Sequence, residues 1–352
     1  MTATDTSPAG QGYPSESVTA AERGSAYSVL SRQIKQAGLL DRRPGYYAAQ
    51  IALLLALVAA GVTALVMIGD SWWQLLVAAY FAMLSTQLGF LGHDAGHRQI
   101  FRSARRNYRL GVLLANLGVG FSYGWWVDKH NRHHAHPNDE DKDPDIGAGA
   151  LVFTERQAQA SGRVAGVLYR YQAWTFFPLL LLEAVNLRVA SVRYLLTRRD
   201  RGRIREGLLI ALHVVAYLVA VFVVLPPGKA LAFVAIHQAL FGLYLGCSFA
   251  PNHKGMPPLS AADNADFLRR QVLTSRNVRG HWLTDFALGG LNYQIEHHLF
   301  PSMPRGNLRR AQRLVNEFCA SQYVPYLETG LISSYAQALR HLDTIGRAAS
   351  AT

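Results

Sequence analysis

Cysteine is almost missing from this sequence: Cys247 and Cys319 are the only two among 352 residues. That excludes a disulfide framework, and it excludes an iron–sulfur cluster held by four cysteines of this chain. Charge is scarce as well. Asp, Glu, Lys and Arg make up 16% of the residues, against roughly 25% in an ordinary soluble domain. The shortage is confined to certain stretches, the pattern of membrane segments alternating with polar ones. No cleavable signal peptide is evident in the first 25 residues, which are rich in Ser, Thr, Ala and Gly and belong to an expected disordered cytosolic tail over residues 1–44. The charge that is present is unbalanced, 35 basic residues against 23 acidic, for a formal net charge of +12. In a membrane protein this reads as a basic cytoplasmic surface facing anionic lipid. Nucleic acid is not an expected partner, because no compact basic module with interleaved aromatics stands apart from the apolar runs.

Four runs have the roughly 20 apolar residues needed to cross ~30 Å of hydrocarbon as a helix. They cover about 47–68, 73–91, 208–225 and 230–249. The first two are joined by Gly69-Asp70-Ser71 and the last two by Pro226-Pro227-Gly228-Lys229, so the expected fold is all-α: four transmembrane helices in two hairpins. The turns carry almost no positive charge. The segment between the hairpins carries Arg98, Arg102, Arg105, Arg106 and Arg109 at one end and Arg198, Arg199, Arg201, Arg203 and Arg205 at the other. By the positive-inside rule both termini and the middle segment are cytoplasmic. Residues 110–127 and 174–182 are also apolar; they are expected to dip into the membrane or lie flat in the interface, not to cross it. Beyond the second hairpin, Leu308, Ala311, Leu314, Val315 and Phe318 recur at helical spacing and mark an amphipathic helix. The expected domain runs over 45–345, with a short tail at 346–352.

There are thirteen histidines, and most are clustered. His93 and His97 lie four apart; His130, His133 and His134 form HxxHH; His297 and His298 are adjacent, with Gln294 three before; His253 follows the fourth run. On a helix, residues three or four apart share a face, so each cluster aims imidazoles into one space. Neutral imidazole is the commonest nitrogen ligand for transition metals, and eight histidines exceed what one ion needs. Two ions in a cytoplasmic helical layer are the natural inference. Every cluster falls at a cytoplasmic span end or in a cytoplasmic stretch. Asp94 and Asn252, next to box residues, and the nearby His136 and His281 are candidates to orient the ligands. Trp125, Trp126, Tyr293 and Phe300 are candidate substrate-contact residues. His213 and His237 lie within spans and read as structural polar contacts. The acidic stretch DEDKDPD at 139–145 reads as a solvated loop that could also hydrogen-bond the HxxHH histidines or dock a redox partner.

HDAGH, HNRHH and QIEHH, with about 30 and then 160 residues between them, resemble the histidine boxes of the membrane fatty acid desaturases. FAPNHKGMP, DKDPDI and GGLNYQIEHHLFPSMPR resemble its acyl-lipid and front-end branch, and the likeness spans about 45–340. The resemblance implies a non-haem di-iron centre held by His93, His97, His130, His133, His134, His253, His297 and His298. It also implies an oxygen-dependent reaction that introduces a cis double bond into an acyl chain on phospholipid, CoA or carrier protein. Gln294 stands where many members have histidine and front-end members have glutamine. Amide oxygen is a weaker ligand than imidazole, so Gln294 could bind metal, hydrogen-bond a water, or do neither. No haem-binding HPGG string occurs, so the electrons are expected from a separate donor of the ferredoxin or cytochrome b5 type with its reductase. Two other functions fit parts of the pattern: a fatty acyl or lipid hydroxylase on the same scaffold, and a four-span metal-handling or transport protein. Transport sites usually sit near the bilayer midplane, whereas these histidines gather at one face.

Overall fold

A computed structural model describes residues 20–200, 202–259 and 266–349 of the chain. Four helices are long and apolar enough to cross a membrane: α2 (Pro44–Ile68), α3 (Gln74–Gly96), α10 (Gly202–Val224) and α11 (Pro227–His253). The hairpin pairs are those expected, but three of the helices outrun their apolar cores. Pro44 opens α2 at a position where a missing N–H costs nothing, and Gly69, at φ 61°, ends it. Gln74 then donates to the carbonyls of Leu65 (2.7 Å) and Gly69 (2.9 Å), closing the turn. Lys229 pairs with Asp70 at 2.7 Å, so the tips of the two hairpins are tied together. Inside the bundle α3 packs along α11.

The polar extension of α11 matters most. Pro251 lies within the helix and cannot donate to the carbonyl of Cys247 four residues back. The Tyr335 hydroxyl takes that carbonyl instead. The helix therefore continues to His253, which is its last residue and not a residue beyond it.

Between the hairpins the chain folds back twice. Helix α4 (Ala104–Val112) widens into a π-helical segment, Leu113–Val119, that lies between α3 and α10. It stops at Gly120, whose φ of 86° suits glycine alone. Helix α5 (Tyr123–Ala135) then leaves at 113° to it, its first turn capped by the Ser122 hydroxyl accepting from Trp125 N at 3.1 Å. Next come α6 (Glu155–Gln159), α7 (Arg163–Arg170), α8 (Gln172–Leu180) and α9 (Glu183–Thr197). The last two meet at 73° and rest on α11, where Gly242 leaves room for the backbone of Leu180 and Ala184. Both apolar stretches at 110–127 and 174–182 are thus bent pairs and not single straight helices.

The remaining elements form a layer over one end of the bundle: α12 (Phe267–Leu273), α13 (Trp282–Ala287), α14 (Gln294–Leu299), α15 (Arg305–Ser321) and α16 (Leu331–Ala349). Two short strands, β1 (Asn277–Val278) and β2 (Glu328–Thr329), pair in parallel within it. Leu308, Ala311, Val315 and Phe318 are the buried face of α15, as their spacing predicts. Both expected tails need correction. Residues 1–19 lie outside the described residues, but α1 (Ala20–Gln36) is a packed helix whose Leu30 and Ile34 are buried against α12, α14 and α15. At the other end α16 runs to Ala349, with Ile345 and Ala349 packed against Val152 and Ala158. The packed unit thus reaches beyond 45–345 at both ends.

Candidate metal centre

Four elements deliver the eight histidines to one place. The end of α3 supplies His93 and His97, α5 supplies His130, His133 and His134, α11 ends on His253, and α14 carries His297 and His298. They sort into two groups. Nitrogens of His93, His97, His130, His134 and His297 all lie within 4.8 Å of one another, as do those of His133, His253 and His298. HxxHH thus divides: His130 and His134, one turn apart, face the first group, while His133 turns to the second.

The Nε2 atom of His130 lies 3.1 Å from that of His93, 2.9 Å from that of His97 and 3.1 Å from that of His134. One ring nitrogen carries either one proton or one lone pair, so it cannot hydrogen-bond three others at once. The convergence is compatible with a shared cation. With metal–nitrogen bonds of about 2.0–2.1 Å, nitrogens at right angles on one ion stand about 3 Å apart. His297 and His134 are 3.1 Å apart, and so are His253 and His298 in the second group. Five imidazoles exceed a closed tetrahedral site and leave a position open on a six-coordinate ion; the donor set suits iron among other transition metals. Burial, and the mutual repulsion of the imidazolium forms, hold His130, His134, His297 and His298 well below the ordinary imidazole pKa. They are neutral at physiological pH, the form that binds metal.

The rear nitrogens are held in turn. His133 Nδ1 donates to Asp143 at 2.9 Å, His253 Nδ1 to the Thr274 carbonyl at 3.0 Å, and His298 Nδ1 to Gln271 Oε1 at 2.9 Å. Asp143 also accepts from Asn138 N (2.8 Å) and Asp145 N (2.9 Å), so the acidic stretch is built into the site. Removing such an orienting partner typically costs 10–100-fold in metal affinity or activity. Asp143→Ala is therefore expected to lower metal affinity about 10- to 100-fold, read by titrating the purified protein with a competing chelator.

A family model described as fatty acid desaturase matches residues 70–330. The chain belongs to the fatty acid desaturase family. It is 30% identical over 314 residues to the acyl-lipid (9-3)-desaturase of Physcomitrium patens, covering 87% of this chain and 59% of that protein. It is 28% identical over 346 residues to the acyl-lipid (9-3)-desaturase of Borago officinalis (94% and 77% of the two chains). It is 26% identical over 334 residues to the Delta(8)-fatty-acid desaturase of Helianthus annuus (90% and 72%). The chain thus spans 59% of the moss protein's length and about three quarters of the other two.

The other expected site residues divide. Trp126 stacks on His130, ring centroids 4.6 Å apart, and with Trp125 lines a cavity of about 400 Å³ that reaches His93, His130, His133 and His253. Tyr293 and Phe300 do not line it. They flank the six-residue α14 and point into the layer's own core, Tyr293 bonded to Asp285 and Phe300 stacked on Tyr27. His136 meets Arg270 at 3.3 Å, and His281 caps α13 through Leu283 N. Asp94 lies 3.7 Å from His93 Nδ1 and forms a 2.6 Å ion pair with Arg305. Asn252 donates to the Leu291 carbonyl (3.0 Å) and to Gln294 Oε1 (3.3 Å), which turns the Gln294 amino group toward His253 at 2.9 Å. His213 and His237 hydrogen-bond Leu117 O and Tyr217, away from the two groups.

Sequence patterns did not reveal several supports. Gln271 bridges His298 and the His134 carbonyl. Arg276, fully buried, donates to the Pro251 and Lys254 carbonyls and so caps the end of α11 that carries His253. Glu296 sits between the third-box residues, bonded to Asn277 and Tyr326, and burial pushes its carboxyl up to about 7.

Proposed function

We propose that the chain is an oxygen-dependent fatty acyl desaturase that inserts a cis double bond into an acyl chain. The observation that carries this reading is the junction of the two histidine groups with a cavity whose walls are largely apolar. Leu88, Ala115, Phe121, Phe176, Leu245 and Phe249 line that cavity, and His93, His130, His133 and His253 open into it. A site for an apolar chain thus meets a site for metal, as removal of hydrogen from an unactivated methylene requires.

Two iron ions bound by the eight histidines would supply, with O2 and two electrons from a separate donor, the oxidising power to take two hydrogens from adjacent carbons. The protein's part is positional. The neutral imidazoles are the residues that would hold the metal pair. Trp126, stacked on His130 and edge-on to His93 at 5.5 Å, walls the metal side of the cavity and keeps bulk water out. Gly89 and Gly92 keep the α3 wall free of side chains where a methylene chain would pass. Gln294, anchored by Asn252, presents a hydrogen-bond donor beside the second group. The arginine clusters support a cytoplasmic site and cytoplasmic termini by the positive-inside rule, within reach of a soluble or membrane-bound electron donor.

The test is expression of the full chain in a host with a simple fatty acid profile. Gas chromatography–mass spectrometry should reveal a new monoenoic or more unsaturated species with its double bond at one position. The purified protein should hold about two irons, one for each histidine group. An unchanged fatty acid profile with no iron would overturn the reading, and hydroxylated chains would redirect it to hydroxylation.

A further inference from the structure

The cavity is not apolar throughout. One corner holds four charged side chains, Lys129, Asp145, Glu183 and Lys254. Lys129 forms an ion pair with Asp145, and each keeps about a third of its side chain accessible (32% and 33%). Lys254 donates to the Asp145 carbonyl at 2.6 Å, its ammonium 3.9 Å from the Phe153 ring centroid. Glu183 accepts from Asn186 at 3.1 Å. The corner abuts the metal site: Asp145 Oδ2 is 3.5 Å from His133 Nδ1, and the two lysines precede and follow the site residues His130 and His253.

Charge beside an apolar cavity is costly unless something polar meets it. The ion pair and the carbonyl contact fasten the 143–145 loop to α5 and α11, but they do not use up the lysines. An ammonium has three donors. Among the described residues, Lys129 Nζ and Lys254 Nζ each have one hydrogen-bond partner, and both line the cavity. A hydrocarbon chain offers nothing to the remaining N–H groups. The polar linkage at the end of an acyl chain does, because its carbonyl oxygen accepts hydrogen bonds whether it belongs to an ester or a thioester.

Resting on the desaturase reading, we propose that Lys129 and Lys254 bind the carbonyl oxygen of the acyl linkage. The chain is then held by its carboxyl end beside the metal centre, and the position of the new double bond is measured from that carbonyl. Both lysines are positioning residues, acting on the substrate's register and not on the reacting carbons.

The experiment compares matched substrates with and without that oxygen, in membranes containing the full chain: an ester-linked phosphatidylcholine against its alkyl-ether analogue, and an acyl-CoA against the S-alkyl thioether. A hydrogen bond to a charged donor corresponds to about ten- to a hundredfold in relative turnover. The wild-type protein should favour the carbonyl form by that factor and place its double bond at one position; the pair that shows the preference identifies ester or thioester. Lys129→Met and Lys254→Met should cut the preference to within a few-fold and scatter the double-bond position. Equal turnover of both forms at one position by the wild-type protein overturns the proposal, whether or not either variant folds. So does full preference retained by both variants. Turnover of no form by the wild-type protein instead strikes the desaturase reading itself.

Discussion

His130→Ala is expected to abolish desaturation and to strip metal from the site while leaving the protein in the membrane. His130 sits at the middle of the five-histidine group, its Nε2 within 2.9–3.1 Å of three other ring nitrogens. No other residue can take that place, because each of the other four imidazoles arrives from its own direction. Loss of an orienting partner alone costs 10–100-fold in metal-site function, so loss of a ligand should lower activity by more than about a hundredfold. Its packing role is small by comparison: the ring stacks on Trp126, and α5 lies outside the four spans. Iron analysis of the purified variant and the fatty acid profile of expressing cells read the two effects separately. Wild-type product levels from His130→Ala would remove it from the ligand set.

The four spans were legible because hydrocarbon length imposes a run of about 20 apolar residues and Gly or Pro marks each hairpin turn. Their polar ends were not. Helix α11 continues through Pro251 only because Tyr335, far along the chain, takes the orphaned carbonyl. Helix α1 is harder to read: Tyr27, Leu30 and Ile34 do recur at helical spacing, but over one short stretch next to a polar N-terminal segment, and the layer that buries them lies more than 230 residues away in sequence. The histidine clusters were readable from spacing, since three and four residues along a helix share a face. What positions them was readable only in part: the acidic stretch could be expected to reach the HxxHH histidines, as Asp143 does, but Gln271, Arg276 and Arg305 are ordinary polar residues until the fold brings them to their partners. Adjacency misled at Tyr293 and Phe300. In a helix as short as α14 the flanking residues point away from the face that carries His297 and His298.

Glu206→Ala is expected to be the most damaging change outside the histidines. Glu206 is completely buried near the start of α10. One carboxylate oxygen accepts from the Ser122 hydroxyl (2.7 Å), Gly124 N (3.1 Å) and Asn116 Nδ2 (3.2 Å), and the other faces Arg198 at 3.3 Å. Those partners span the π-helical segment, the cap of α5 and its first turn. A negative charge at a helix N-terminus is favourable, so the carboxylate both pins and stabilises the start of the helix that carries HNRHH. Alanine would leave the Gly124 N–H and the Asn116 amide without their acceptor, while Arg198 keeps Asp200. Each buried donor left without a partner costs about 1–3 kcal/mol. The loss should lower the thermal unfolding midpoint in detergent and, by freeing the first turn of α5, lower iron content as well. Glu206→Gln keeps an acceptor oxygen of the same reach but not the charge, so it should retain most of the iron and recover part of the midpoint. A Glu206→Ala protein with wild-type iron and midpoint would mean that α5 holds its histidines in place without the carboxylate. In that case the bend at Gly120, together with the Ser122 cap, would be what orients the second box.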